Sequence, residues 1–337
     1  MTDTVCNTAV PADSFSSLSP DLILEAIESQ PELLCDGRLL ALNSYENRVY
    51  RVGLEDAQPV IAKFYRPQRW TREQILEEHA FALELAEHEI PVVAPLANAE
   101  GDTLRECNGF EFALYPVKGG RTPELDNPEQ LQLIGRFIAR LHQVAETSSF
   151  NHRPVLDTET LGHRTASYLI DNNRLPPELR AAYKSLTTDL LQKVDDRFDS
   201  YRGVRQIRLH GDFHPGNILW RDDKPHIVDL DDARTGPCVQ DLWLFLSGDR
   251  FYQQERLADL LDGYTMFREF DSAELGLIEP LRTLRIIHYA SWLDQRREEP
   301  AFQQAFPWLA SARYWDDHIL ALKEQSSALD EPILRWD

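Results

Sequence analysis

The chain has 337 residues, 42% hydrophobic and 27% charged, which suits a folded protein with room for two packed lobes. Its 35 basic and 56 acidic residues give a formal net charge of -21, which argues against nucleic acid or membrane as partners, since both need a positive patch to displace counterions. No apolar run is long enough to span a bilayer, no signal-peptide pattern follows Met1-Thr2-Asp3-Thr4, and Cys6, Cys35, Cys107 and Cys238 show no Cys-x-x-Cys or zinc spacing, so a reduced, cytoplasmic protein is expected. Residues 1–18 are polar and serine-rich and are expected to be a flexible N-terminus. Ser19-Pro20 then opens a helix with Leu22, Ile23, Ala26 and Ile27 on one face. From Leu39 to Tyr65 the pattern is β-like, with strands at 50–52 and 60–65. Thr71 to Glu89 reads as a charged amphipathic helix carrying Ile75, His79, Leu83 and Ala86, ended by Pro91 and Pro95. A further strand at 109–115 leads to Pro116 and the flexible Gly119-Gly120.

Beyond that segment the chain turns helical. Asn127-Pro128-Glu129-Gln130 supplies an N-cap, a proline in the first turn and a glutamine at the third position, and Leu131, Ile134, Phe137, Ile138 and Leu141 follow at helical spacing. Strands at 206–209, 218–220 and 226–230 interrupt the helices, which then resume to the end. The expected organisation is a small lobe over 19–115, a hinge over 116–121 and a helical lobe over 122–337. The fold class is α+β, with a small β-rich lobe and a larger, mainly helical one.

The chemistry concentrates in Leu209-His210-Gly211-Asp212-Phe213-His214-Pro215-Gly216-Asn217-Ile218-Leu219-Trp220 and in Ile227-Val228-Asp229-Leu230-Asp231-Asp232. A strand enters a tight loop holding Asp212, Asn217 follows five residues later, and an apolar strand ends in acid at Asp229. A hairpin turning at Asp222-Asp223-Lys224-Pro225 would bring Asn217 and Asp229 to one mouth. An amide oxygen and a carboxylate are hard ligands suited to Mg2+ on phosphates, and a carboxylate one loop away can face an acceptor hydroxyl. The layout fits phosphoryl transfer, in which a loop aspartate orients the nucleophile while an Asn and an Asp hold metal. A loose transition state asks mainly for alignment and charge neutralisation, so a carboxylate of pKa near 4 suffices as base.

These residues resemble the aminoglycoside phosphotransferase/choline kinase-like superfamily, which shares the protein-kinase fold. Within it, Leu42-Asn43-Ser44-Tyr45-Glu46-Asn47-Arg48-Val49-Tyr50, Lys63-Phe64-Tyr65-Arg66-Pro67 and Val228-Asp229-Leu230-Asp231-Asp232-Ala233-Arg234 are similar to the bacterial stress response kinase A family, a resemblance running from Ser19 to the mid-320s. It implies a bilobal fold, ATP bound at the hinge, Ser/Thr protein kinase activity and a stress-response role. It also implies that Asp212 is the proton acceptor, that Asn217 and Asp229 are Mg2+ ligands, with Asp229 counted among the catalytic residues, and that Ser44 contacts ATP.

No G-x-G-x-x-G is present; Asn43–Arg48 takes its place, with hydrogen-bonding Ser44 and Asn47 and the charge of Arg48. Lys63, an ammonium inside an apolar strand, is explained as a kinase strand lysine that contacts the nucleotide phosphates and a helix glutamate, Glu77 or Glu78; the family's spacing to Pro91 favours Glu78. His210 is expected to be a structural loop histidine, Asp231 and Asp232 to order their loop, Asp241 and Trp243 to start a helix and fill the core, and His142 and His288 to pack in apolar faces. The expected partners are ATP and a protein with a Ser or Thr hydroxyl, and the expected state is a monomer. A small-molecule kinase for an aminated alcohol is the alternative suggested by the acidic helical lobe. An ATP-binding pseudokinase is disfavoured because Lys63, Asp212, Asn217 and Asp229 are all present.

Overall fold

The computed structural model describes residues 15–30 and 33–336. Ser19 accepts a hydrogen bond from the Leu22 amide and Pro20 occupies the first turn, so helix α1 (Pro20–Glu28) begins where this cap pair sets it. Strands β1 (Cys35–Leu42), β2 (Arg48–Leu54) and β3 (Val60–Phe64) follow, then helix α2 (Arg72–Glu87), then β4 (Arg105–Cys107) and β5 (Phe110–Pro116). Together the strands make one antiparallel sheet in the order β1-β2-β3-β5-β4. Alternation along β3 assigns its faces: Ala62 and Phe64 join Ile23, Ile27, Phe112 and Leu114 in an apolar cluster, whereas Lys63 lies on the other face and is still only 7% exposed. Of the expected flexible N-terminus, residues 1–14 lie outside the described residues. Phe15 and Leu18 are buried in the cluster of α1, with Phe15 stacked on Phe110 at 6.1 Å, because these two large side chains interrupt the serine-rich run.

Helices α3 (Pro128–Ala145), α4 (Arg164–Asp171) and α5 (Pro177–Ser200) come next, then strands β6 (Gln206–Leu209), β7 (Ile218–Arg221), β8 (Lys224–Ile227) and β9 (Arg234–Pro237). Helices α6 (Arg250–Tyr264), α7 (Ile278–Gln295), α8 (Pro300–Ala305) and α9 (Ala312–Ala328) complete the chain. Asn127 accepts from the Glu129 and Gln130 amides and starts α3, whose Leu131, Ile134, Ile138 and Leu141 share a cluster with Leu257, Leu260 and Leu261 of α6. These helices approach backbone to backbone: a Cβ on Gly263 would lie 1.9 Å from the Gln132 carbonyl oxygen, and one on Gly135 would lie 2.0 Å from that of Leu260. Strand β6 pairs antiparallel with β9, and β7 with β8.

Two local expectations change. The β7–β8 turn is the two residues Asp222 and Asp223, at φ 53° and 55°, while Lys224 and Pro225 already belong to β8. The strand expected over 226–230 ends at Ile227, because Asp229 takes a left-handed conformation and Leu230–Asp232 form a 3-10 turn. Likewise Asp241 and Trp243 stand in successive 3-10 turns, Cys238–Asp241 and Trp243–Phe245, with no α-helix start at either.

Contacts divide the chain into two units. The first holds the chain up to Trp70, Ala97–Val117 and Trp292–Ser311; the second holds Thr71–Leu96, Lys118–Ser291 and the chain from Ala312 onward. Against the expected lobe over 19–115, α2 therefore groups with the helices, and a segment from near the C-terminus joins the sheet. For α2 the cause is specific. Phe81 and Leu85 sit in the α3–α6 cluster, Arg208 donates to Glu84 at 2.6 Å, and Glu77 accepts three backbone amides from Asn151, His152 and Arg153. Among the described residues no helix is long and apolar enough to cross a membrane.

Candidate active site

The loop between β6 and β7 is fixed from behind. Gly211 has φ +85°, and a Cβ there would lie 2.1 Å from the Asp232 carbonyl oxygen, so only glycine fits the turn. The fully buried Asp241 carboxylate accepts from the amides of His210 and Gly211, both at 2.9 Å, and its Oδ2 also meets His142 Nε2 at 3.2 Å. His142 Nδ1 in turn pairs with the Tyr264 hydroxyl at 2.9 Å, and Gln240 donates to the Gly211 carbonyl at 2.8 Å. The His210 ring stacks on Phe213 at 4.8 Å and its Nε2 reaches the Val228 carbonyl at 3.0 Å, a structural use of that histidine.

Asp212 is held half-buried by this scaffold. Arg285 of α7 donates to its Oδ1 at 2.6 Å, and His214 Nε2 stands 3.5 Å from its Oδ2. Burial pushes the His214 imidazole below its ordinary value, against the pull of the Asp212 charge. Its Nδ1 accepts from the Gly216 amide at 2.9 Å, which places the proton of the neutral ring on Nε2, toward Asp212.

Asn217 donates through Nδ2 to the Asp212 carbonyl at 2.9 Å, and its own carbonyl accepts from Val228 at 3.0 Å. With Ile218 paired to Ile227, the hairpin carries Asn217 and the chain entering Asp229 side by side. Asp229 is exposed at φ 63°. Its carboxylate and the amide oxygen of Asn217, whose nitrogen is already committed, are hard oxygen donors that fit a small divalent cation. Among the described residues no group of three or more His, Cys, Asp or Glu converges as a metal site. A two-residue set suits a cation that takes its other ligands from phosphates and water.

Arg153 orders the neighbouring acids. It is buried, donates through Nε to the Ala233 carbonyl at 2.8 Å and through Nη2 to that of Asp231, and faces the charges of Glu78, Asp231 and Asp232. Asp232 also accepts from Arg234 at 3.0 Å. Within α2, burial raises the Glu77 carboxyl, but the three backbone amides on it hold it below its ordinary value. Glu77 is thus committed to the 151–153 backbone, and Glu78, only 3% exposed, is the acid of the pair that this backbone does not claim.

In the first unit, Ser44 is half-buried in the turn between β1 and β2. Asn47 Oδ1 accepts from the Arg66 amide at 3.0 Å, and Arg48 lies over the Phe15 ring at 4.5 Å, so both serve the loop's own structure. Lys63 pairs in register with Val49 and Ala113, its Nζ 5.0 Å from the Tyr65 ring centre. Asp241 and Arg285 escape the sequence reading as site residues. Asp241 does carry a signal, being a carboxylate next to an apolar run that a buried position must pair; Arg285 is one charge among many on an amphipathic helix.

The chain matches the Phosphotransferase enzyme family over residues 38–277. It is 44% identical to Stress response kinase A of Escherichia coli (strain K12) over 96% of this chain and 97% of that protein. It is 43% identical to Serine/threonine protein kinase RdoA of Salmonella typhimurium (strain LT2), with the same coverage. Among solved structures it resembles amicoumacin kinase hAmiN, in complex with AMP-PNP, Ca2+ and Ami, with a TM-score of 0.67 and 22% identity, covering 91% of each chain. The chain belongs to the phosphotransferase enzyme family and, within it, groups with the stress response kinases.

Proposed function

We propose that this chain is an ATP-dependent Ser/Thr protein kinase of the stress response, moving the γ-phosphoryl group of Mg-ATP to a protein hydroxyl. The observation that carries the reading is the position of Asp212, on a loop pinned by Asp241 and joined through Asn217 to the strand entering Asp229. The hydroxyl oxygen attacks the γ-phosphorus, the bond to the bridging oxygen of ADP breaks, and Asp212 takes the proton. Asn217 and Asp229 hold the metal, which when bound neutralises phosphate charge. Ser44 and Lys63 serve the nucleotide, Glu78 orients Lys63, and the protein works as a cytoplasmic monomer. The hinge is 116–121, and the name of the 43% identical relative, a serine/threonine protein kinase, supports a protein acceptor.

A small-molecule acceptor bearing an amine is less favoured, because Arg285 places a positive charge on Asp212. The test is incubation with γ-labelled ATP and Mg2+, wild type beside Asp212→Asn, with a generic protein in one set and amino-alcohols in another. Label on serine or threonine of protein in the wild type is expected, cut by about 10²–10⁴ in Asp212→Asn while ATP binding persists. ATP consumed only with amino-alcohols would move the acceptor class. Binding of ATP with no transfer to either would make the chain a pseudokinase.

A further inference from the structure

The Asn43–Arg48 loop contains no glycine, so its shape has to be imposed by neighbours. Those neighbours come largely from Trp292–Ser311, a segment some 250 residues away that packs in the same unit. The Glu46 carboxylate receives Arg296 at 2.5 Å, Trp292 Nε1 at 2.6 Å, Arg66 at 2.9 Å and Arg69 at 3.2 Å. Glu299 receives Arg66 at 2.5 Å and has Arg48 at 3.7 Å. Arg66, its side chain only 4% exposed, also donates to the Tyr45 and Glu46 carbonyls at 3.2 and 2.9 Å, reading the loop's backbone directly. The apolar side of the contact is aromatic: Tyr45 meets Phe306 at 4.9 Å and Phe302 at 6.0 Å, and Phe302 meets Trp292 at 5.2 Å.

Two consequences follow from this wiring. A carboxylate largely shielded from water and surrounded by several guanidiniums fixes geometry, because losing one partner leaves a charge uncompensated. The cluster also sets four guanidiniums against two carboxylates, so an otherwise strongly acidic protein keeps local positive charge where an anionic nucleotide has to be met.

We propose that Trp292–Ser311 is a clamp that sets the 43–48 loop in its nucleotide-receiving shape, with Glu46, Arg66, Arg296 and Glu299 as positioning residues. The inference rests on the reading that Ser44 meets ATP, and deepens it by assigning control of that loop to a distant stretch of chain. It is tested with Arg296→Gln and Phe306→Ala, the second leaving the charge cluster intact should the first fail to fold, and with Arg296→Lys as the conservative variant. Near-UV circular dichroism certifies the fold, amide hydrogen exchange reports on residues 43–48, and calorimetry gives Mg-ATP affinity without an acceptor. Faster exchange confined to the loop and a Kd raised at least about fivefold, the low end of coupling between separate sites, are expected, with Arg296→Lys recovering part of both. Folded variants with wild-type exchange, or with faster exchange and wild-type affinity, overturn the clamp alone. A wild type that takes up no Mg-ATP overturns the nucleotide reading and the clamp together.

Discussion

Asp212 keeps its two carboxylate oxygens in different company: Oδ1 is bound by the Arg285 guanidinium, and Oδ2 stands 3.5 Å from His214 Nε2. On the proposed mechanism the second oxygen is the one left to take the proton, while Arg285 fixes the carboxylate's rotation. On the proposed reading, the Arg285 charge also bears on which acceptor is taken. A cation brought about 4 Å from it meets a repulsion of up to about 4 kcal/mol at an effective dielectric near 20. Its side chain is 44% exposed, so solvent screening brings that closer to about 1 kcal/mol. Arg285→Ala should lower transfer to protein roughly tenfold with Mg-ATP affinity retained, within the loss general-base misalignment produces. Transfer to amino-alcohols, relative to protein, should rise in the same variant. Assaying both acceptors in parallel checks this; an unchanged ratio removes Arg285 from acceptor choice.

At the scale of elements, the 210–217 loop is set by the 3-10 turn behind it. Asp241 offers two oxygens to two loop amides and to His142, and asparagine has only one oxygen to offer. Asp241→Asn should cost about 1–3 kcal/mol for the amide left unsatisfied. Turnover should fall further than that stability loss explains, because Asp212 loses its register. Denaturant titration beside single-turnover transfer separates the two; a stable variant with normal turnover would show that the loop holds itself. Gly263→Ala tests packing between elements, where a new methyl runs into the Gln132 carbonyl. Overpacking costs typically about 1–3 kcal/mol, and a backbone neighbour cannot rotate away, so the upper end is expected in urea unfolding.

How much of this the sequence discloses depends on whether the determining contact is local. The β7–β8 hairpin and the Asp212–Asn217 spacing are legible because short-range turn chemistry and alternation produce them. The role of Asp241 is not, because Val239-Gln240-Asp241-Leu242-Trp243 reads equally well as the start of a buried helix until β6 is seen beside it. Nor is the grouping of α2, because an amphipathic pattern does not say which neighbours the helix meets; long-range partners such as Arg208 and the 151–153 backbone decide it. Of the candidate partners of Lys63, Glu77 and Glu78 are equivalent by helical periodicity, the family's spacing favours Glu78, and three backbone amides are seen to claim Glu77.

For the molecule as a whole, the net charge of -21 says less about pH behaviour than two buried groups in the second unit do. Burial pushes the Glu274 carboxyl from 4.5 up to about 7, against the Val239 amide that donates to it and the Arg268 charge nearby. Burial pushes the His318 imidazole from 6.5 down to about 4. The signs oppose. Between 4.5 and 7 the folded state holds more of the Glu274 proton than the unfolded chain does, so this group removes stability as pH rises through that window. Between 6.5 and 4 the unfolded chain protonates His318 first, so this group removes stability as pH falls. Over their shared range these two contributions largely offset one another. Glu274→Gln keeps an acceptor for the Val239 amide and deletes one slope. Its stability relative to wild type should grow from pH 4.5 to pH 7 by up to about 3 kcal/mol, since each tenfold change in proton affinity on folding is worth about 1.4 kcal/mol. Urea midpoints taken across that range for both proteins decide the matter: diverging curves place the buried proton on Glu274, and parallel curves would mean that this carboxyl titrates alike in the folded and unfolded chain.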